Sequence, residues 1–337
     1  MNNICIIGAG VTGLSLLLLL QESGIDPSKI VVIDPHFDGG DLARKWTTIQ
    51  SNTTLNKTTD AIAAACPKLP LQINYSTATT KLIDIIHIIR ELATPFLTKV
   101  QQIQGLATTA NYSSDLQRWS IHINAAGKPL TILSKCIVLA PGAEPKTLNL
   151  SIPSIPLEVA IDSSRLQHYI TPGKRVVVFG TMHSGTIVIR NLVACGANVV
   201  AYYNSDKPFY WARDGDYDGI KEEAAQIADD IVSEKIPVEI ISVKDISKLI
   251  RTSHSADWVV YAMGFQARDT IKLSIDDTYM TSFDYDGKTG MLRNIPAIWG
   301  FGVAFPNIAP DGIHWDVSVA AFIEHMKQQL PSILAKI

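Results

Sequence analysis

Apolar residues along this chain gather in short runs that end in glycine, and the spacing of those runs predicts alternating strands and helices. Asn3 to Ile7 reads as a buried strand, and Leu14 to Leu20, broken only by Ser15, as a buried helix. Ile30 to Ile33 is a second strand. The same order returns from Lys174: a β-rich run to Phe179, a helix through Thr186 to Cys195, then Gly196 and a strand from Asn198 to Tyr203. Two further buried strands, Cys136 to Ala140 and Trp258 to Ala262, run into glycine turns, and Ala297 to Gly302 reads as a last strand. Ile220, Ala224, Ile227, Ala228 and Ile231 share one helical face, which predicts a docking helix over Ile220 to Val232. This alternation implies an α/β chain with two Rossmann-like, doubly wound domains.

The turn after the first strand carries candidate chemistry. It reads Gly8-Ala9-Gly10-Val11-Thr12-Gly13. Gly8 permits the tight turn, Gly10 lets the backbone approach a pyrophosphate, and Gly13 lets strand and helix pack closely. The helix start offers unpaired N–H groups and about half a positive charge to phosphates. Asp34 stands about twenty residues on, at the end of the second strand, placed to accept hydrogen bonds from ribose hydroxyls and to repel a 2′-phosphate. Gly8, Gly10, Val11, Thr12, Gly13, Asp34 and the adjoining Pro35 form the first expected dinucleotide site.

The second turn is Gly180-Thr181-Met182-His183-Ser184-Gly185. Met182 takes the middle glycine's place, where a side chain pushes phosphates away, so the run either binds a displaced nucleotide or only packs. Gly180, His183, Ser184 and Gly185 are its candidate ligands, with His183 also readable as a helix cap or a substrate contact. At the cofactor-choice position, Tyr202-Tyr203-Asn204-Ser205-Asp206-Lys207 has neither a terminal acid nor an arginine pair. Lys207 and Arg213 read either as partners of a 2′-phosphate or as solvated cations.

Composition narrows the function. With 47% hydrophobic and 18% charged residues and a mean hydropathy of +0.15, the chain folds without extensive disorder. Its 337 residues suggest two domains. A net charge of −3 without single-sign runs argues against nucleic acid and against a polybasic membrane surface, leaving a small-molecule partner. The leucine run is far below the ~20 residues that span a bilayer, and no basic n-region precedes it. Cys5, Cys66, Cys136 and Cys195 are scattered, with no C-x-x-C or metal-ligand spacing, so reduced thiols in the cytoplasm and no metal are expected.

Two βαβ units, connected through Ala140-Pro141-Gly142-Ala143-Glu144-Pro145 and Ala262-Met263-Gly264-Phe265-Gln266-Ala267, make the chain resemble the two-dinucleotide-domain flavoproteins. These are the superfamily of pyridine nucleotide-disulfide oxidoreductases and flavin-containing monooxygenases, and the resemblance covers nearly the whole chain. It implies FAD at the first turn, NAD(P)H at the second, and Ala140, Pro141, Gly142 and Gly264 in the connectors. It also implies an FAD-binding domain of residues 1–150 and 269–337 with an NAD(P)-binding-like domain, 151–268, inserted; a homodimer is compatible with it. Gly39-Gly40 with Trp46, and the segment Gln50 to Leu55, resemble the monooxygenase-side pattern along the flavin, which adds Gly40, Trp46, Asn52 and Thr53. Trp46 reads equally as a core aromatic, and Asn52-Thr53 as an ordinary turn. Gly302 stands where many relatives place Gly-Asp against the ribityl chain, but Gly300-Phe301-Gly302 lacks the acid. The cluster from Phe305 to Asp316 approaches the flavin ring in the family, which makes His314 and Asp316 the expected acid–base pair; a capping loop into a helix over Val317 to Met326 is the alternative.

The resulting expectation is an FAD-dependent NAD(P)H oxidoreductase, monooxygenase-like, that passes electrons to O₂ or a small organic acceptor without a redox disulfide. The segment Pro153 to Pro172 lacks the F-x-G-x-x-x-H-like fingerprint of monooxygenases. Two other readings stay open: a non-disulfide flavin reductase or oxidase, and a flavin-binding scaffold or sensor. The run Tyr210 to Gly219, rich in acids, glycine and aromatics, reads as a surface excursion or a lid.

Overall fold

The computed structural model describes residues 2–69, 71, 79–209, 222–268, 271–312 and 314–337, without the side chain of Asn52. The run Tyr210 to Gly219, the first two residues of the expected docking helix, and Ile313 lie outside the described residues. The chain divides into two compact units, one of Met1–Glu144 with Gln266–Ile337 and the other of Pro145–Phe265.

In the first unit, β1 (Asn2–Ile7) pairs in parallel with β2 (Ile30–Asp34) on one side and with the end of the long strand Lys128–Leu139 on the other. Gln101–Gln104 extends the sheet beyond β2, and Ile298–Gly300 beyond Lys128–Leu139. Successive strands thus run outward from β1 in one direction and then in the other, so the order reverses between β1 and Lys128–Leu139. In doubly wound sheets that point opens a crevice at the carboxyl ends of the strands. The expected strands therefore form, but three antiparallel strands, Leu106–Ser113, Arg118–Ala125 and the first part of Lys128–Leu139, are additional to them. Their alternate residues Ala110, Tyr112, Trp119, Ile121 and Ile123 are buried, the period of a half-solvated sheet.

α1 (Val11–Glu22) is buried without a break from Thr12 to Leu20. A helix apolar on every side needs partners on every side. β1 and β2 lie in the same core cluster through Ile4, Ile6, Ile30 and Val32. Helix Leu82–Leu97 adds Ile85, Ile86 and Ile89, and helix Val319–Leu334 adds Phe322, Ile323 and Met326.

The second unit is a parallel sheet ordered Glu239–Ser242, Asn198–Tyr203, Arg175–Phe179, Trp258–Tyr261, again reversing beside its glycine-turn strand. Phe179 stacks between Tyr202 and Tyr261 at 5.6 and 5.8 Å. The helix after the second turn covers His183–Ala194, beginning before the expected Thr186. Helix Glu222–Val232 buries Ala224, Ile227, Ala228 and Ile231, the face its spacing indicated. Among the described residues, no helix is long and apolar enough to cross a membrane, and no group of three or more His, Cys, Asp or Glu could hold a metal ion.

Helix Val319–Leu334 outruns the expected Val317 to Met326 and carries His325 into the core. The His325 Nε2–H donates to the Lys288 carbonyl at 3.0 Å, and the ring meets Phe301 edge-on at 5.2 Å. Burial holds the imidazole pKa below its ordinary value, against smaller opposing effects of that hydrogen bond and the Asp286 carboxylate. A group depressed in this way takes up its proton more readily in the unfolded chain, so stability is lost as pH falls through about 6.5. The unfolding free energy should decline between about pH 7 and about pH 5. His325→Gln, which keeps a donor for Lys288, should flatten that decline; urea unfolding at stepped pH measures both.

Candidate functional site

Two backbone contacts build the first turn. Gly8 has φ +109°, and a Cβ there would stand 2.1 Å from the Ala140 carbonyl oxygen; at Gly13 it would stand 1.9 Å from the carbonyl oxygen of Gly8. Neither position has room for a side chain. The Gly8 N–H donates to Ile33 and the Ala140 N–H to Ile7, both at 2.8 Å, so the turn is tied to strands on both sides. Gly10 is different: its φ of −78° suits any residue. What constrains it is the backbone of the Gly39–Gly40 pair, bridged to it at Gly39, with a Gly40 Cβ only 3.1 Å from the Gly10 Cα.

No side chain caps the start of α1, and no acid lies in its first turn. Its N–H groups therefore face the crevice with their partial positive charge, which fits a phosphate-bearing dinucleotide. The Val11 side chain packs into the core, leaving its backbone toward the turn. Gly302 completes this end of the sheet, since a Cβ there would meet the Thr12 hydroxyl at 2.5 Å.

Asp34 does more than the sequence indicated. Its Oδ2 accepts the Ala9 N–H at 2.7 Å, and Oδ1 accepts those of His36 and Phe37 at 2.8 Å. A carboxylate offers about four acceptor directions, so three are committed to the protein and room for about one ribose hydroxyl is left. Pro35 is exposed, its carbonyl accepting from Gln104 at 3.1 Å. The structure thus gathers Gly8, Gly10, Thr12, Gly13, Asp34, Gly40, Ala140 and Gly302 about one sheet end. Half-buried Pro141 and exposed Gly142 follow Ala140.

Other expected residues are used differently. Trp46 is 7% exposed, as a core aromatic would be. Asn52 and Thr53 lie in strand Gln50–Thr54, paired with Thr79–Lys81, and the Thr53 N–H donates to the Ser51 hydroxyl at 3.1 Å. His314 and Asp316 do not pair. His314 Nδ1 meets Asp311 Oδ2 at 2.5 Å, whereas Asp316 accepts the Ser318 N–H at 3.1 Å, just before the last helix. Asp311 lies three residues before His314 on the same turn and reaches the ring, while Trp315 and Asp316 have entered a two-residue strand against Asn307–Ile308. Tyr285 packs on Phe305 and Trp315 beside them and donates to the Pro306 carbonyl; burial pushes its phenol up to about 12.

The second unit repeats the packing but not the chemistry. A Cβ at Gly180 would stand 2.2 Å from the Ala262 carbonyl oxygen, and one at Gly185 2.1 Å from that of Gly180. Met182 caps the helix with φ −81°, nearly the backbone of Gly10, but carries a half-buried side chain. His183 and Ser184, also half-buried, open the helix. The Gly180 N–H donates to Tyr202 as that of Gly8 does to Ile33, which aligns Tyr203 with Asp34. Instead of a carboxylate, the Pro208 carbonyl serves this turn, accepting from the Thr181 hydroxyl. Gly264 follows strand Trp258–Tyr261 with open space around it, its carbonyl accepting from Lys146 at 2.9 Å.

All four cysteines are free thiols. Cys5 and Cys136 sit on neighbouring strands but join the cores on opposite faces of the sheet. Burial raises every one of the four thiols, Cys66 and Cys136 to about 12. One further contact has no signal in the local pattern: Arg268 pairs with Asp41, 227 positions away, directly after Gly40.

No family model matches the chain. A curated relative, the monooxygenase AgnR1 of Paecilomyces divaricatus, is 24% identical over 384 aligned positions, covering 98% of this chain and 97% of its own. The bacillithiol disulfide reductase Bdr (YpdA) from Bacillus cereus superposes with a TM-score of 0.66 at 14% identity, over 100% of this chain and 99% of its own. The OTEMO complex with FAD and NADP (form 1) gives 0.60 at 13% identity, over 99% and 84%. In fold, the chain is similar to Bdr (YpdA) and to OTEMO over nearly its whole length.

Proposed function

We propose that this chain is an FAD-dependent NAD(P)H oxidoreductase of monooxygenase-like type, acting on a small molecule without a redox disulfide. The observation that carries the reading is the uncapped start of α1 behind Gly8, Gly10 and Gly13, enclosed by the Gly39–Gly40 backbone. Support comes from the relatives: AgnR1 is a monooxygenase, and OTEMO is described in complex with FAD and NADP. FAD held there supplies a ring that accepts hydride from reduced nicotinamide and hands electrons to O₂ or a small organic acceptor.

The chain's own residues contribute position and charge. The first turn of α1 would hold the pyrophosphate with its N–H groups, and Asp34 keeps that turn and the His36–Phe37 backbone in register while retaining about one acceptor direction for a ribose. Gly302 and Thr12 bring the last strand onto the same helix start. His314, oriented through Nδ1 by Asp311, is the group offered to carry a proton in this unit. Thiols held in their neutral form are poor nucleophiles, which favours transfer without disulfide exchange. Met182 supports a second reading, in which the inserted unit only packs and the protein binds flavin as a scaffold or sensor.

The purified protein should be yellow and carry one FAD; anaerobic mixing with NADH and NADPH should bleach it. A protein that stays colourless in excess FAD rules out both readings, and a yellow one that neither nucleotide bleaches favours the scaffold. Asp34→Asn presents an amide to backbone N–H groups that need an acceptor. It should weaken FAD by ~1–3 kcal/mol, read from fluorescence titration of the flavin. Met182→Gly should tighten NAD(P)H about fivefold by removing a side chain from the pyrophosphate path. Nucleotide titrations of the oxidised holoprotein decide this, and unchanged affinity in a protein that still bleaches would place the nicotinamide away from the turn.

A further inference from the structure

The loop that closes over the first turn has little support of its own. α2 (Asp41–Arg44) is a single turn, too short to be stable alone, and its N-cap, Gly40, offers no side chain. Asp38 accepts the Gly40 N–H at 3.0 Å, and the side chains of Ile86 and Arg90 close against Gly39. The other anchor comes from a distant part of the sequence. Arg268 donates through Nη2 to Asp41 Oδ2, Arg44 reaches Oδ1 at 3.3 Å, and Lys45 Nζ lies 3.7 Å from Oδ2. The Arg268 and Asp41 side chains are only 26% and 15% exposed, unlike a freely solvated surface pair. The other arm of the guanidinium, Nη1, lies 3.9 Å from where a Gly142 Cβ would stand. One cation therefore spans the glycine-pair loop and the first connector, both of which border the Gly8–Gly13 turn.

We propose that Arg268 is a positioning residue for FAD: by holding Asp41 it keeps the Gly39–Gly40 backbone against Gly10 and so sets the width of the groove that retains the dinucleotide. This rests on the reading of the first turn as the FAD site. A guanidinium acting on the pyrophosphate itself would give the opposite sign for its partner, because Asp41 would then compete with phosphate for it. In the positioning role, loss of either partner acts in the same direction, and loss of Arg268 adds nothing once Asp41 is gone.

The test uses flavin-loaded protein diluted into buffer, with FAD release followed by the return of free-flavin fluorescence. Arg268→Met and Asp41→Asn should each speed release about tenfold, the scale of one partly buried charge-assisted hydrogen bond. The double variant should be no faster than Asp41→Asn alone, and Arg268→Lys should release FAD more slowly than Arg268→Met. Thermal unfolding of each variant identifies any that fail to fold, and Arg268→Lys then serves in place of Arg268→Met. Slower release in Asp41→Asn beside faster release in Arg268→Met would overturn positioning in favour of direct phosphate contact. Unchanged release in both, from a wild type that is yellow, would overturn the proposal alone; a wild type that never takes up FAD would overturn the functional reading and the proposal with it.

Discussion

Two backbones approach so closely in the first unit that no side chain fits between them. The Ala140 carbonyl oxygen lies where a Cβ at position 8 would stand, and the carbonyl of residue 8 lies where a Cβ at position 13 would stand. These contacts fix the exit of β1 against the neighbouring strand and set the start of α1 directly behind it. They also decide the electrostatics of the crevice. A helix held that near a strand end presents its unpaired N–H groups at the point where the strand order reverses. Packing and ligand chemistry are here one arrangement, and the Asp34 carboxylate, with three backbone donors, stiffens it from the side.

The inserted unit separates what packing needs from what a ligand needs. Gly180 and Gly185 meet the same steric demand as Gly8 and Gly13. Position 182 does not, because its φ of −81° is open to every residue and its neighbours leave space for a thioether. Tyr203, where the first unit has Asp34, is equally acceptable to the sheet. Folding therefore constrains the packing glycines in both units, while the residues that would face a nucleotide are free to differ.

Much of this was legible in the chain. Short apolar runs, each closed by glycine, located the central parallel strands and both turns, since buried parallel strands are apolar on both faces and leave a strong mark. The meander from Leu106 to Leu139 left a weaker one: alternating residues such as Ala110, Tyr112, Trp119 and Ile121, among polar neighbours, carry a period of two with few long apolar runs. Side-chain pairing was the least readable. Whether His314 meets Asp311 or Asp316 depends on where the chain enters a two-residue strand, and Arg268 finds Asp41 only because the fold brings distant segments together. Asp34 was legible as an acid at the end of a strand; two of its three donors, His36 and Phe37, belong to a loop whose path, including Phe37 at φ +56°, is not written in periodicity.

The burial of α1 on every side decides when, during synthesis, the first unit can be completed. Its leucines are covered in part by Trp299 and Phe301 at the last sheet strand and by Phe322, Ile323 and Met326 of the final long helix. These segments are translated after the whole inserted unit, Pro145–Phe265, whose sheet draws all its strands from within itself. On the ribosome the inserted unit can close while the first unit still waits for its remaining walls. Until helix Val319–Leu334 emerges, α1 stands partly uncovered, the kind of transiently exposed apolar surface on which misassembly begins.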